Sequence, residues 1–328
     1  MNGGWFRYGQ QPTAAIASWK RVVDSVRRAV PDRSKYAFLW APNAANGYPF
    51  AGGEYSNTKE TASAADFAAL DSNGDGVYDA RDDPYTPFYP GDDYVDWVGF
   101  SLYHYGREWP WVTNDVPMPG KAEAILTGKP GWGNYNFYEM FCGSGAGGNP
   151  ASRSQGSKPF MVTETGSTIH MAVGPTTATA RTVPANGDAQ SRVPIKQGWW
   201  RQLVNSTFLE QYPKIKGIST FEFIKYEETS WRDFTNMGPA VDINSPVGND
   251  GGALDGLVLA AFQADFTGPL ENLVIWGKKE SPSLSTPGTP LPAAASPSGP
   301  AQRNSAEVIG GIFDSLLAVI PGIFALIA

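Results

Sequence analysis

Cysteine, histidine and charge are all scarce in this chain. One cysteine, Cys142, occurs in 328 residues. That excludes an internal disulfide framework and leaves either a buried free thiol or a partner outside the chain. Only 17% of the residues are charged, with a net charge of −7 and a pI near 5.0. No basic stripe is present, so nucleic acid is excluded as a partner. The only histidines are His104 and His170, both read as hydrogen-bonding residues in loops. Aromatic residues, in contrast, are plentiful: 11 Trp, 14 Tyr and 17 Phe. That is more than a core needs. The surplus either fills a Trp-rich interior or lies on the surface, where it suits flat, weakly polar ligands such as sugar rings.

The most informative stretch is Lys158-Pro159-Phe160-Met161-Val162-Thr163-Glu164-Thr165-Gly166. A short apolar run entered through proline and closed by glycine reads as a buried parallel strand. Its end carries a carboxylate, Glu164, at the edge where α/β barrels build active sites. The flanking pattern agrees. Ile16, Trp19, Val22, Val23, Val26 and Ala29 recur at helical spacing over 11–30, with Thr13 as a cap and Pro31 as a stop. Strands are expected at 36–40, 96–103 and 217–223, and a helix at 195–208. Strands alternating with crossovers imply an α/β fold with a parallel sheet. Four such repeats make half of an eight-stranded barrel. The two end strands, 36–40 and 217–223, are then each expected to expose an unpaired edge.

Beyond residue 280 the composition changes. Residues 281–305 form a Pro/Ser/Thr-rich linker unable to bury a core. Residues 306–328 form an apolar tail interrupted by Asp314 and Pro321. Small residues, a polar spacer and a terminal apolar run read as a glycolipid-anchor signal. A transmembrane anchor and a tail packed on the domain are the alternatives.

Residues 71–82 place oxygen donors at the spacing of a calcium loop: Asp71, Asn73, Asp75, Asp79 and Asp82, with the carbonyl of Val77. Gly76 stands where such a loop turns sharply. Asp82 replaces the usual bidentate Glu, and Pro84 blocks a normal exiting helix. A structural calcium ion is expected, holding the long loop ahead of the second strand.

Three motifs together resemble glycoside hydrolase family 26, in particular its fungal secreted members. Met1-Asn2-Gly3-Gly4-Trp5-Phe6-Arg7-Tyr8-Gly9 resembles the segment following the family's acid/base glutamate. Tyr89 to Gly99 is similar to the approach to the sixth barrel strand, and Lys158 to Gly166 to the seventh. The likeness covers residues 1 to about 232. It implies the C-terminal half, strands five to eight, of a (β/α)8 TIM barrel within residues 1–280, and a retaining hydrolase of β-mannan or β-glucan. By resemblance Glu164 is the nucleophile, Tyr103 its hydrogen-bond donor, Trp5 a stacking wall and Trp231 the opposite wall; Tyr105, Trp109 and Trp111 form a loop cluster that either lines a cleft or buries itself. It further implies a secreted protein, to which the reading of the tail adds a cell-surface setting with attachment to membrane or cell wall through the C-terminus. The family's acid/base would immediately precede Met1, so a truncated catalytic half is expected. A non-catalytic carbohydrate-binding surface protein is the alternative reading.

Overall fold

The structure, a computed structural model, describes residues 1–107, 111, 113–143, 157–174, 189–227, 230–237, 251–276 and 324–327, apart from the side chains of 189–191, 251–255 and 324–327. The linker at 281–305, Trp109 and Asp314 lie outside the described residues.

The chain folds as mixed α/β. Strands β1 (Leu39–Trp40), β2 (Trp97–His104) and β3 (Phe160–Ser167) are followed by β4 (Ile169–Val173) and β5 (Ile215–Thr220). β1, β2, β3 and β5 lie side by side in sequence order, all parallel. These are the four strands expected from sequence, with shifted ends. Strand β1 keeps only two residues because the backbone of Phe38 turns to Asp96: its amide donates to the Asp96 carboxylate at 2.8 Å. β5 stops at Thr220, and the amide of Phe221 then donates to the Thr165 carbonyl.

Helices cover one face of this sheet. Phe100 and Phe160 pack on Phe137 of a short helix (Phe137–Cys142), with ring centroids 4.9 and 5.8 Å away. A long helix, Ala189–Leu203, sends the Trp199 indole N–H to the Thr165 hydroxyl at 2.9 Å. The helix expected over 195–208 is broken in two. Asn205 caps a second helix (Ser206–Gln211) by accepting from the Phe208 amide; an Asx side chain competes with helix continuation and favours a new start. Val204 and Phe208 remain buried.

The first helix (Pro12–Ala29) starts at Pro12, not at a Thr13 cap. The Thr13 amide instead donates to Asp66 of the next helix (Ala64–Leu70) at 2.9 Å. Of the expected apolar face only Val23 is fully buried, and Val22 is 57% exposed.

Among the described residues β1 has β2 as its one neighbour in the sheet. The far edge differs from expectation. β8 (Val274–Trp276) and β9 (Phe324–Ile327) extend the sheet, β9 pairing antiparallel with both β5 and β8. The apolar tail thus supplies a strand that closes the β5 edge. Among the described residues no helix is long and apolar enough to cross a membrane. A second sheet is antiparallel, in the order β4, β7 (Ser230–Asp233), β6 (Ile224–Glu227). It follows the carboxyl ends of β3 and β5.

Candidate functional site

Residues paired in a parallel register share a face of the sheet, so pairing decides what Glu164 can reach. Val98 pairs with Phe160 and Phe100 with Val162, all four buried toward the helices. Unbroken alternation would next pair Leu102 with Glu164 and drive the carboxylate into that core. The register shifts instead: Ser101 pairs with Glu164, Leu102 with Thr165 and Tyr103 with Gly166. Thr163 is the extra residue of a β-bulge. The bulge carries Glu164 to the face away from the helices, where Ser101 and Tyr103 also stand.

Gly99 permits this close packing, because a Cβ there would lie 2.0 Å from the Met161 carbonyl oxygen and 3.3 Å from Thr163. Only glycine tolerates such an approach between backbones.

The Glu164 carboxylate accepts through Oε2 from the Tyr103 hydroxyl at 3.2 Å and from the Ser101 hydroxyl at 3.3 Å. It has no ion-pair partner among the described residues, unlike Glu227, which is paired with Arg232 and Lys225. Glu222 is also committed. It accepts from the Asn236 and Met237 amides and from the Asn236 side chain at 2.6–3.0 Å. Burial, reinforced by the neighbouring Glu164 charge, pushes the Tyr103 phenol far above its ordinary pKa, so it remains a protonated donor.

Tyr103 is fixed by rings. It stacks on Tyr105 at 5.2 Å and meets Phe221 and Phe234 edge-on at 6.1 and 5.5 Å. Tyr105 continues to Trp111 at 5.3 Å, forming one aromatic wall. The Arg232 guanidinium lies 5.0 Å from the centre of the Tyr105 ring.

The first residues of the chain reach the same strand ends. Asn2 is fully buried; its side chain accepts from the Asn43 amide at 2.8 Å and donates to the Asn43 carbonyl at 2.9 Å. Asn43 in turn bridges to Ser101 in parallel fashion. Trp5 is 48% exposed and tilts against Phe50 at 4.9 Å, so a face remains open for a ligand. Trp231 is different. It is buried in β7 against Tyr226, and its neighbour Arg232 is the residue that reaches Tyr105. Tyr103, Tyr105 and Glu164 are therefore brought together as expected, while Trp231 packs inside the small sheet.

Neither histidine sits in a loop. His104 ends β2 and His170 lies in β4, both buried. The His104 Nε2–H donates to the Asp115 carbonyl at 2.6 Å, and that of His170 to the Tyr105 carbonyl at 2.7 Å. Burial lowers the pKa of each to about 4, so both rings are neutral near neutral pH.

The loop at 71–82 has the backbone that a calcium site needs, with Gly76 at φ +82°. Asp71, Asn73 and Asp75 accept from the amides of Asp75, Gly76 and Val77 at 2.8–3.1 Å. A carboxylate oxygen bonded once keeps a lone pair for a cation, so these three donors fit. Two features compete. Arg81 bridges Asp75 and Asp79 at 2.8 and 2.7 Å. Asp82 is fully buried and spends both oxygens on the amides of Ser72, Asn73 and Asp79, tying the loop's ends together. Among the described residues no cluster of three or more His, Cys, Asp or Glu is arranged to hold a metal.

Ser101, Asn2, Asn43 and Arg232 were not singled out from sequence. Ser101 was within reach, since it precedes Tyr103 by two and must share its face. The others depend on contacts across 41 and more residues and leave no local signal.

The chain matches no protein-family model and no curated protein.

Proposed function

We propose that this chain carries the nucleophile half of a retaining β-glycan hydrolase. The observation that supports it is Glu164: a strand-end carboxylate without a counter-ion among the described residues, bonded by two hydroxyls and bordered by an aromatic wall. Both hydroxyls bond Oε2, which leaves Oε1 to attack the anomeric carbon of a β-linked sugar. The leaving oxygen departs with a proton from a second carboxyl, and a glycosyl ester on Glu164 results; water then releases the sugar. Tyr103 and Ser101 donate to Oε2 and aim the carboxylate.

Four parallel strands in sequence order fit the second half of an α/β barrel. The acid/base carboxyl is proposed to act beside Asn2 at the same strand ends, as the resemblance to family 26 implies. Asn2 supports that position, being linked through Asn43 to Ser101. A calcium ion on Asp71, Asn73, Asp75 and Asp79, with the Val77 carbonyl, would brace the loop once Arg81 swings out; the Arg81 side chain is 63% exposed. β-Mannan or β-glucan is the proposed substrate class, and secretion with C-terminal attachment the proposed setting.

The decisive experiment bypasses the acid. Incubation with 2-deoxy-2-fluoro β-mannosyl and β-glucosyl fluorides, whose leaving group needs no proton, should esterify one residue. Peptide mass mapping is expected to find the adduct on Glu164 and nothing on Glu164→Gln. No adduct, or an adduct elsewhere, overturns the assignment. The non-catalytic reading is favoured by the same wall, and is distinguished by oligosaccharide binding without any adduct.

A further inference from the structure

Lys121 is buried where a lysine is rarely found. It follows Gly120 (φ +77°) at the start of a short helix (Lys121–Thr127), and its residue is only 7% exposed. Its ammonium donates to His104 Nδ1 and to the Gly106 carbonyl, both at 2.9 Å, and lies 5.5 Å from the centre of the Trp132 ring. The proton inventory is consistent: His104 gives its Nε2–H to Asp115, so Nδ1 is the acceptor. No carboxylate lies within ion-pairing distance among the described residues. Among the described residues the one nearby acid, Asp115, faces Arg107 at 3.8 Å. Burying an ammonium without a counter-ion is costly, so this side chain is a poor device for stability.

Its partners indicate another role. His104 and Gly106 flank Tyr105 on either side, and the carbonyl of Tyr105 itself accepts from His170. Three consecutive residues are thus held at their polar atoms by buried basic side chains. Tyr105 is the residue whose ring backs Tyr103, the donor to Glu164.

We propose that Lys121 is a positioning residue of the glycan cleft, gripping both sides of Tyr105 so that the Tyr103–Tyr105 wall is set before a sugar chain arrives. The proposal rests on the reading of that cleft as glycan-binding. The groups that face Lys121 are His104 from β2, Arg107 and Asp115 from the loop between, and, behind His104, His170 from β4. Burial brings Lys121 down to about 8, whereas His104 and His170, at about 4, do not titrate near it. The grip should therefore weaken between pH 7 and 9 as the ammonium loses a proton.

The test is calorimetric titration of the full chain with β-1,4-mannohexaose and cellohexaose at pH 7 and 9, for the parent and Lys121→Met, with melting curves for both. Lys121→Met keeps the length and removes the donors. Its affinity at pH 7 should be roughly tenfold weaker, the loss of a charged hydrogen bond. The parent should weaken toward pH 9 while Lys121→Met stays flat. The melting temperature of Lys121→Met should hold or rise, because an uncompensated charge has left the interior. Parent-like binding by Lys121→Met overturns the proposal alone, and so does a parallel loss of binding and stability. Absence of binding by the parent overturns the glycan reading itself and removes the proposal with it.

Discussion

Acidification should destabilise this protein well before its carboxylates titrate, and the two histidines set the size of the effect. His104 and His170 are buried, with pKa values of about 4, against about 6.5 for an unfolded imidazole. Between those values the unfolded chain binds more protons than the folded one, so stability is complete above about pH 6.5 and falls as pH drops toward 4. At pH 5 each imidazole costs about 2 kcal/mol, from RT times the logarithm of the ratio of the two binding polynomials, and the pair about 4 kcal/mol. That is a large share of the roughly 5–15 kcal/mol that holds a domain together. The assay is urea unfolding followed by tryptophan fluorescence at pH 7.5 and 5.0, with the imidazole resonances titrated in the folded protein by NMR. His170→Gln, which can still donate toward the Tyr105 carbonyl, should remove about half of the pH-dependent loss. A difference below about 1 kcal/mol between the two pH values, or either imidazole titrating above pH 6 in the folded state, would refute the reasoning.

Two further outcomes are expected. Tyr103→Phe deletes one charge-assisted hydrogen bond to Glu164 while leaving the stack on Tyr105, and should slow formation of the glycosyl adduct by about 1–3 kcal/mol of transition-state stabilisation; a rate equal to the parent's would show that the bond is idle. Calcium in hundredfold excess over its dissociation constant should add about 2.7 kcal/mol of stability, and superimposable melting curves with chelator and with millimolar calcium would count against the loop as a site.

The strands were legible wherever an apolar run is unbroken and its helix-facing side is buried. The runs at 96–103 and 158–166 hold a continuous apolar signal that needs no partner to be read, and each lies within one residue or two of its strand. Residues 36–40 misled because Tyr36 and Phe38 carry strand-like side chains, while the Asp96 carboxylate, 58 residues away, takes the Phe38 amide. The helix break was written in Asn205, a capping residue inside an apolar period that drew more notice. At the site, Tyr103 and Glu164 were legible from strand ends and resemblance together. Trp231 was not, because an aromatic in a short hairpin looks the same from sequence whether it faces sugar or core. Lys121 left no trace at all. Lysine is almost always solvated, and its burial arises from the meeting of a helix start with a strand end.

The extra residue at Thr163 means that the address of the catalytic candidate is held by a bulge in the strand and not by side-chain identity. A threonine side chain at 163 could be exchanged for another small one and Glu164 would stay on the open face. Removal of Thr163 would leave Val162 opposite Phe100 and Glu164 opposite Ser101 in an unbroken ladder, so the carboxylate would keep its face; straightening the bulge with every residue kept would instead turn it inward, toward Leu102 and the helices. Descendants of this sequence can therefore drift by substitution around the site, and even lose residue 163 by a one-codon deletion, without turning Glu164 from the open face, whereas a change that flattens the bulge at constant length would silence it.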